Sequence, residues 1–184
     1  KGNKFRFLHV SCFDEKAKNI QGMLRAVRIV AKQRQDFELI CVGTGIDYAE
    51  DVAYAQTLDF PKGPLTFTGE QTPHEVAQWM QQSDCFLFFS RYENAPVVLS
   101  ECLAIGLPII SSNAGGIPEM IDHECGILVP SEDEVALANA MLEMIDNQKE
   151  YTADTIRKRG AKYTYQNIGK QLSDTYQRLV ISAN

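Results

Sequence analysis

The sequence predicts an α/β fold, a doubly wound parallel sheet of about six strands with helices on both faces. Short apolar runs rich in Val, Ile, Phe and Leu alternate with longer helix-patterned segments, the rhythm of parallel strands joined by crossover helices. The 184 residues are 45% hydrophobic and 23% charged, which is enough interior for one central sheet covered on both sides. No repeat or low-complexity linker interrupts the chain, so a single domain over residues 1–184 is expected.

Taken in order, the strands are expected at FRFLHV from Phe5, FELICV from Phe37, LTFT from Leu65, CFLFFS from Cys85, PIIS from Pro108 and GILV from Gly126. Thr72-Pro73-His74-Glu75 supplies a capping residue, a proline for the first helical position and a glutamate three residues after the cap. Ser131-Glu132-Asp133-Glu134 repeats that box without the proline, ahead of helical spacing from Val135 to Ile145. Pro96 suits the first turn of a helix capped by Asn94 or Ala95, with Asn94 the better capping side chain; that helix ends at Gly106 with Pro108 soon after. Residues 152–181 read as terminal amphipathic helices broken near Gly160 to Thr164.

The net charge of −6, with 18 basic residues spread along the chain, lacks the footprint of a nucleic-acid binder. The five cysteines (Cys12, Cys41, Cys85, Cys102, Cys125) are odd in number and show no zinc spacing, which favours a reducing, cytoplasmic setting over a disulfide framework. No run approaches the roughly 18 apolar residues of a membrane span. The first residues are Lys1-Gly2-Asn3 rather than Met, so a piece of a longer chain is expected.

Ligand sites in open parallel sheets lie beyond the carboxyl ends of the strands, where loops enter helix N-termini. One such loop carries ENAPVVLSE, with Glu93 just before the expected helix and Glu101 in its second turn. Pro96 to Glu101 spans roughly 7.5 Å along a helix axis, and helical side chains lean back toward the N-terminus, so both carboxylates can approach one helix end. That end favours an anion such as phosphate. The acids themselves repel phosphate, but they can accept hydrogen bonds from hydroxyls on either side of it, a layout that matches a nucleoside diphosphate sugar. Alone, the pair has a plainer explanation, because acids near helix starts complement the dipole and Glu101 can be an exposed helix residue.

Residues 90–130, SRYENAPVVLSECLAIGLPIISSNAGGIPEMIDHECGILVP, resemble the signature region of family 4 glycosyltransferases, with a glutamate, seven residues and a second glutamate followed by Gly-Leu-Pro, Gly-Gly-Ile-Pro-Glu and Gly-Ile-Leu-Val-Pro blocks. FELICVGTG, LTFTGEQTPHEVAQWMQQSDCFLFFS and EDEVALANAMLEMIDN fall in family order as well. The resemblance implies a Rossmann-like domain forming the C-terminal, donor-binding half of a GT-B enzyme, with the N-terminal acceptor domain absent. It implies retaining, metal-independent transfer of a sugar from a nucleotide sugar, with no cofactor, to a saccharide or lipid-linked acceptor. A cytoplasmic location follows, with any contact to the inner face of a membrane made through the absent half; the isolated piece is expected to bind donor weakly and transfer nothing useful.

Carried over by position, Glu93 contacts the transferred sugar as a positioning group at the catalytic centre, and Glu101 holds the ribose hydroxyls. The N–H groups of Asn94, Ala95, Val97 and Val98 face the diphosphate and sugar, and Lys18, identified by the Asn19-Ile20-Gln21-Gly22 that follows it, neutralises the diphosphate. Gly43, Thr68 and Gly69 lie near the nucleotide, although a tight turn explains Gly43 equally well. The chain departs from the family where Cys12 stands in place of an arginine, leaving Lys16, Arg91 or the absent domain to compensate, and where Asn-Ala-Pro replaces Gly-aromatic-Gly after Glu93. Cys12 beside Lys16 and Lys18 is a candidate reactive thiol. Gly115-Gly116 reads equally as a turn or a ligand contact, and His9, His74 and Trp79 read as structural. The alternative function is a non-catalytic nucleotide-binding or interaction module of the same fold; an epimerase or phosphorylase relative is less well matched, since a cofactor-lysine motif is not apparent.

Overall fold

The computed structural model describes residues 4–60 and 64–182. Six strands, β1 (Phe5–Val10), β2 (Phe37–Val42), β3 (Leu65–Gly69), β4 (Cys85–Phe88), β5 (Ile109–Ser112) and β6 (Gly126–Val129), form one sheet in the order β3-β2-β1-β4-β5-β6. Every pairing is parallel, from Phe5 opposite Phe37 to Ser112 opposite Val129. The helices are α1 (Glu15–Lys18), α2 (Ile20–Ala31), α3 (Tyr48–Thr57), α4 (Pro73–Gln82), α5 (Val97–Ile105), α6 (Ile117–Met120), α7 (Glu134–Asn147), α8 (Ala153–Gly160) and α9 (Tyr165–Ser182).

Both faces of the sheet are buried, which is why its strands read as continuous apolar runs rather than alternating ones. Phe7, Leu39, Leu87 and Ile110 point to one side, onto Met23 and Val27 of α2 and Leu137 and Met141 of α7. Their chain neighbours Leu8, Ile40, Phe86, Phe88 and Ile109 point to the other, onto Met80 of α4, Leu99 and Leu103 of α5, and Ile156 of α8. The chain builds outward from β1 to β3, then returns to place β4 on the opposite flank of β1. The loops after β1 and β4 therefore diverge to opposite faces, opening a crevice at the carboxyl end of the sheet between them.

The Thr72 box forms as its sequence requires: Thr72 caps α4 by accepting from the Glu75 N–H, and the Glu75 carboxylate returns a bond to the Thr72 N–H at 2.8 Å. Two other caps fall elsewhere. Helix α5 begins at Val97 with Pro96 itself as the N-cap (φ −66°, ψ 117°), and Asn94 makes no capping bond. Helix α7 is capped by Asp133, whose Oδ1 accepts from Ala136 N at 2.9 Å, because Glu132 turns left-handed (φ 63°) and moves the helix start beyond Ser131. Strand β4 stops at Phe88, two residues before the end of the apolar run, where pairing with β5 ends at Ser111. Among the described residues no helix is long and apolar enough to cross a membrane.

Candidate functional site

The loop after β1 folds into the single turn of α1. Asp14 caps it, and Asn19 ends it in the left-handed region (φ 52°, ψ 45°), a conformation asparagine tolerates better than most residues. Gly22 is required one turn on, since a Cβ there would lie 2.4 Å from the Asn19 amide oxygen. This is the physical content of the Asn19-Ile20-Gln21-Gly22 spacing: it turns the chain sharply at Lys18 and sends that side chain across the crevice.

Lys18 Nζ lies 2.5 Å from Glu93 Oε1, with both side chains largely buried, and 5.5 Å from the centre of the Phe88 ring. The two loops that diverge from β1 and β4 thus meet through this ion pair. Beneath it, His9 is fully buried and stacks on Phe88 at 6.1 Å. Its Nδ1 faces the Leu87 carbonyl at 2.9 Å and its Nε2 the Ser11 hydroxyl at 2.7 Å. A carbonyl only accepts, so Nδ1 carries the hydrogen and Ser11 donates to Nε2. Burial lowers the His9 pKa to about 4, with the charge of Lys18 adding to the shift, so the imidazole is neutral near pH 7.

Glu93 is held through its backbone by two glycines. Gly116 N donates to Glu93 O at 3.1 Å. A Cβ on Gly115 would come within 1.7 Å of Glu93 O, and one on Gly116 within 1.9 Å of Asn94 O. These glycines therefore support the β4–α5 loop. Asn94 and Ala95 are exposed on that loop, Val97 is 71% exposed at the helix start, and Val98 is partly buried. No side chain caps the first turn of α5.

Glu101 does not join the Lys18–Glu93 pair. It lines a groove of about 480 Å³ between α4 and α5, with Val10, Gln71, Val76, Met80 and Ile105. The groove reaches the crevice at Val10, the last residue of β1. Its walls follow helical spacing legible in the sequence: Pro73, Val76, Ala77 and Met80 form a stripe on α4, and Glu101, Ala104 and Ile105 one on α5. Next to it, Gly43 (φ 126°) donates to Gly69 O at 2.9 Å, and a Cβ on Gly43 would sit 2.0 Å from Ser11 O. Gly69 is also left-handed (φ 73°), and the Thr68 hydroxyl donates to Gly69 O at 3.0 Å, so Thr68 is turned onto its own chain.

Neither nearby candidate in this chain takes the place of the arginine expected where Cys12 stands. Cys12 is exposed, Lys16 points to solvent, and Arg91 is engaged by protein acceptors on two segments, around α1 and in the turn before α7. Cys41, Cys85, Cys102 and Cys125 are buried.

A 3-2-1-4-5-6 parallel sheet with paired loops at its switch point defines the class as a doubly wound α/β domain with a crevice at the carboxyl end of its sheet. Residues 4–147 match the family described as Glycosyl transferases group 1, and the chain belongs to that family. It is 30% identical to the amylovoran biosynthesis glycosyltransferase AmsK of Erwinia amylovora, over 95% of this chain and 45% of that protein. It is also 30% identical to the alpha-monoglucosyldiacylglycerol synthase of Streptococcus pneumoniae, over 91% of this chain and 37% of the relative. Among solved structures, sucrose-phosphate synthase from Thermosynechococcus elongatus superposes with a TM-score of 0.85 at 26% identity, covering 99% of this chain and 47% of that one. HepE from Anabaena in complex with UDP-glucose shares the fold at a TM-score of 0.80 and 21% identity, covering 96% of this chain and 49% of that one. The chain thus spans less than half the length of these relatives, and the neighbours are GT-B glycosyltransferases.

Proposed function

We propose that this chain is the donor-binding part of a retaining glycosyltransferase, holding a nucleoside diphosphate sugar at the switch point while a saccharide or lipid-linked acceptor is presented by a second domain. The observation that carries the reading is the Lys18–Glu93 contact, which sets an ammonium group and a carboxylate together in front of the uncapped start of α5. The diphosphate lies against the N–H groups of Val97 and Val98, with those of Asn94 and Ala95 nearby, and Lys18 turns from Glu93 to its oxygens. Glu93, released, accepts hydrogen bonds from the sugar hydroxyls and orients the anomeric carbon. Glu101 accepts from the ribose hydroxyls, and the base enters the groove between α4 and α5, near Gly43, Thr68 and Gly69. The co-crystallised UDP-glucose of HepE is consistent with such a ligand.

Charge develops on the departing diphosphate as the bond to the sugar breaks, and fixed donors that meet it there lower the barrier. In this reading Lys18 and the helix N-terminus do that without a divalent metal or a cofactor. The acceptor, any membrane contact and a cytoplasmic location belong to the whole enzyme. Calorimetric titration of the chain with UDP, GDP and ADP tests the reading: saturable heat is expected with at least one, reduced in Lys18→Met, and a folded sample that responds to none contradicts it.

Cys12 at the expected arginine, with Arg91 otherwise engaged, favours a second reading in which the fold binds nucleotide without transferring sugar. Slow release of free sugar from a nucleotide sugar by the longer polypeptide separates the two, since a non-catalytic module releases none.

A further inference from the structure

Arg91 lies two residues before Glu93, about three-quarters buried. Its backbone N–H donates to Ala17 O at 2.7 Å. Its guanidinium donates through Nη1 to Glu15 O and, more weakly, to Lys16 O at 3.5 Å; through Nη2 to Asn19 Oδ1 at 2.6 Å, with Glu15 Oε1 at 3.4 Å; and through Nε to Glu132 Oε1 at 2.7 Å. Residues 15, 16, 17 and 19 bracket Lys18 on both sides. The fork therefore fastens the turn of α1 to the β4–α5 loop, and Glu132 ties both to the turn before α7. The left-handed backbone at Glu132, which displaced the expected cap of α7, presents that carboxylate to Arg91.

We propose that Arg91 is a positioning residue for the Lys18–Glu93 pair: it holds α1 so that the Lys18 ammonium stays in the crevice, and it does not itself contact the ligand. The assignment rests on the reading of Lys18 given above. All three guanidinium nitrogens are directed at protein acceptors, so little donor capacity remains for a diphosphate. A lysine in this position keeps the charge but loses the planar fork, because an ammonium is a point donor on a flexible stem. If Arg91 acts through Lys18, removing it after Lys18 is gone has no further effect on the ligand.

Amide hydrogen exchange over residues 14–20 and calorimetric titration are measured on this chain for wild type, Arg91→Lys, Arg91→Met, Lys18→Met and the Lys18→Met/Arg91→Met double variant, with UDP, GDP and ADP as ligands. Expected are exchange at residues 17–19 about tenfold faster in both Arg91 variants with β1 and β2 unchanged, affinity about tenfold weaker in both, and a double variant no weaker than Lys18→Met. Wild-type exchange or affinity in Arg91→Lys overturns the proposal, as do additive losses in the double variant. Should Arg91→Met fail to fold, Arg91→Lys carries the comparison. If wild type binds none of the three ligands, it is the reading of Lys18 that fails, and the exchange rates alone decide the clamp: unchanged rates overturn it, accelerated rates support it.

Discussion

His9 and Asp51 are both fully buried, and acid acts on them in opposite senses. Burial lowers His9 to about 4, below its value near 6.5 in the unfolded chain. The unfolded state therefore takes up the proton first, and stability falls as pH drops from about 6.5 toward 4, by about 3 kcal/mol at the limit. His9→Gln is expected to lose that part of the slope, read as urea midpoints at pH 7 and 4.5; an unchanged slope contradicts the assignment. Asp51 on α3 is raised to about 6 by burial, offset in part by a bond from Gln21 Nε2 and reinforced by Glu15, Asp47 and Glu50. Here the folded state keeps its proton longer, so its contribution is full below about pH 4 and lost as pH rises through 6. Its Oδ2 has no partner, so above pH 6 an incompletely paired charge is buried. Asp51→Asn is therefore expected to stabilise the fold by about 1–2 kcal/mol at pH 8 and to change it little at pH 4.

At this scale the sequence was informative where a local spacing had one physical meaning. Lys18 was marked through the family resemblance by the Asn19-Ile20-Gln21-Gly22 that follows it, and the structure supplies the physical reason: Asn19 turns left-handed and Gly22 makes room for its amide. Arg91 was weighed as a spare cation, and its actual employment was not legible, because its acceptors, two main-chain carbonyls on α1 and the side chains of Glu15, Asn19 and Glu132, all lie more than forty positions away in the chain. The His9–Ser11 hydrogen bond was equally hidden, because Ser11 lies just past the end of β1, where strand alternation no longer says which way its side chain faces.

Among the elements, the β4–α5 loop depends most on what lies beneath it. Gly115→Ala brings a methyl group into the space of the Glu93 carbonyl at a left-handed position (φ 53°), so backbone must move. A loss of about 2–3 kcal/mol in stability is expected, together with loss of nucleoside diphosphate binding, in calorimetry and urea denaturation. Binding at wild-type affinity in a folded Gly115→Ala would remove the glycines from the account. Thr72→Ala, which breaks the capping box of α4, should cost about 1 kcal/mol in urea denaturation. The strands were legible from their apolar runs because both faces of the sheet are covered. The caps of α5 and α7 were not, because each is set by tertiary contacts: Asn94 O sits over Gly116, and Glu132 reaches Arg91.

For the whole molecule, two apolar layers enclose the sheet, and the crevice lies where the chain reverses its winding order. The last helix stands apart from this arrangement. Residues 165–180 are exposed apart from Asp174, with Tyr165, Ile168, Leu172 and Tyr176 along one stripe. Ending the chain at Thr164 should shift the melting temperature by less than about 3 °C, whereas a larger drop would show that α9 contributes to the core. That the sheet would be doubly wound was legible from the alternation of strand and helix patterns. That Glu101 lines the groove between α4 and α5 was not, because helix spacing along α5 fixes an axial distance but not which neighbouring helix the side chain faces.

A crystal structure of this chain with whichever nucleoside diphosphate it binds tests the central claim most directly. Lys18 Nζ should leave Glu93 and lie within about 3 Å of a phosphate oxygen at the start of α5, with the Glu101 carboxylate on the ribose hydroxyls. A diphosphate bound elsewhere, with Lys18 still on Glu93 and Glu101 remote from the sugar, would contradict it.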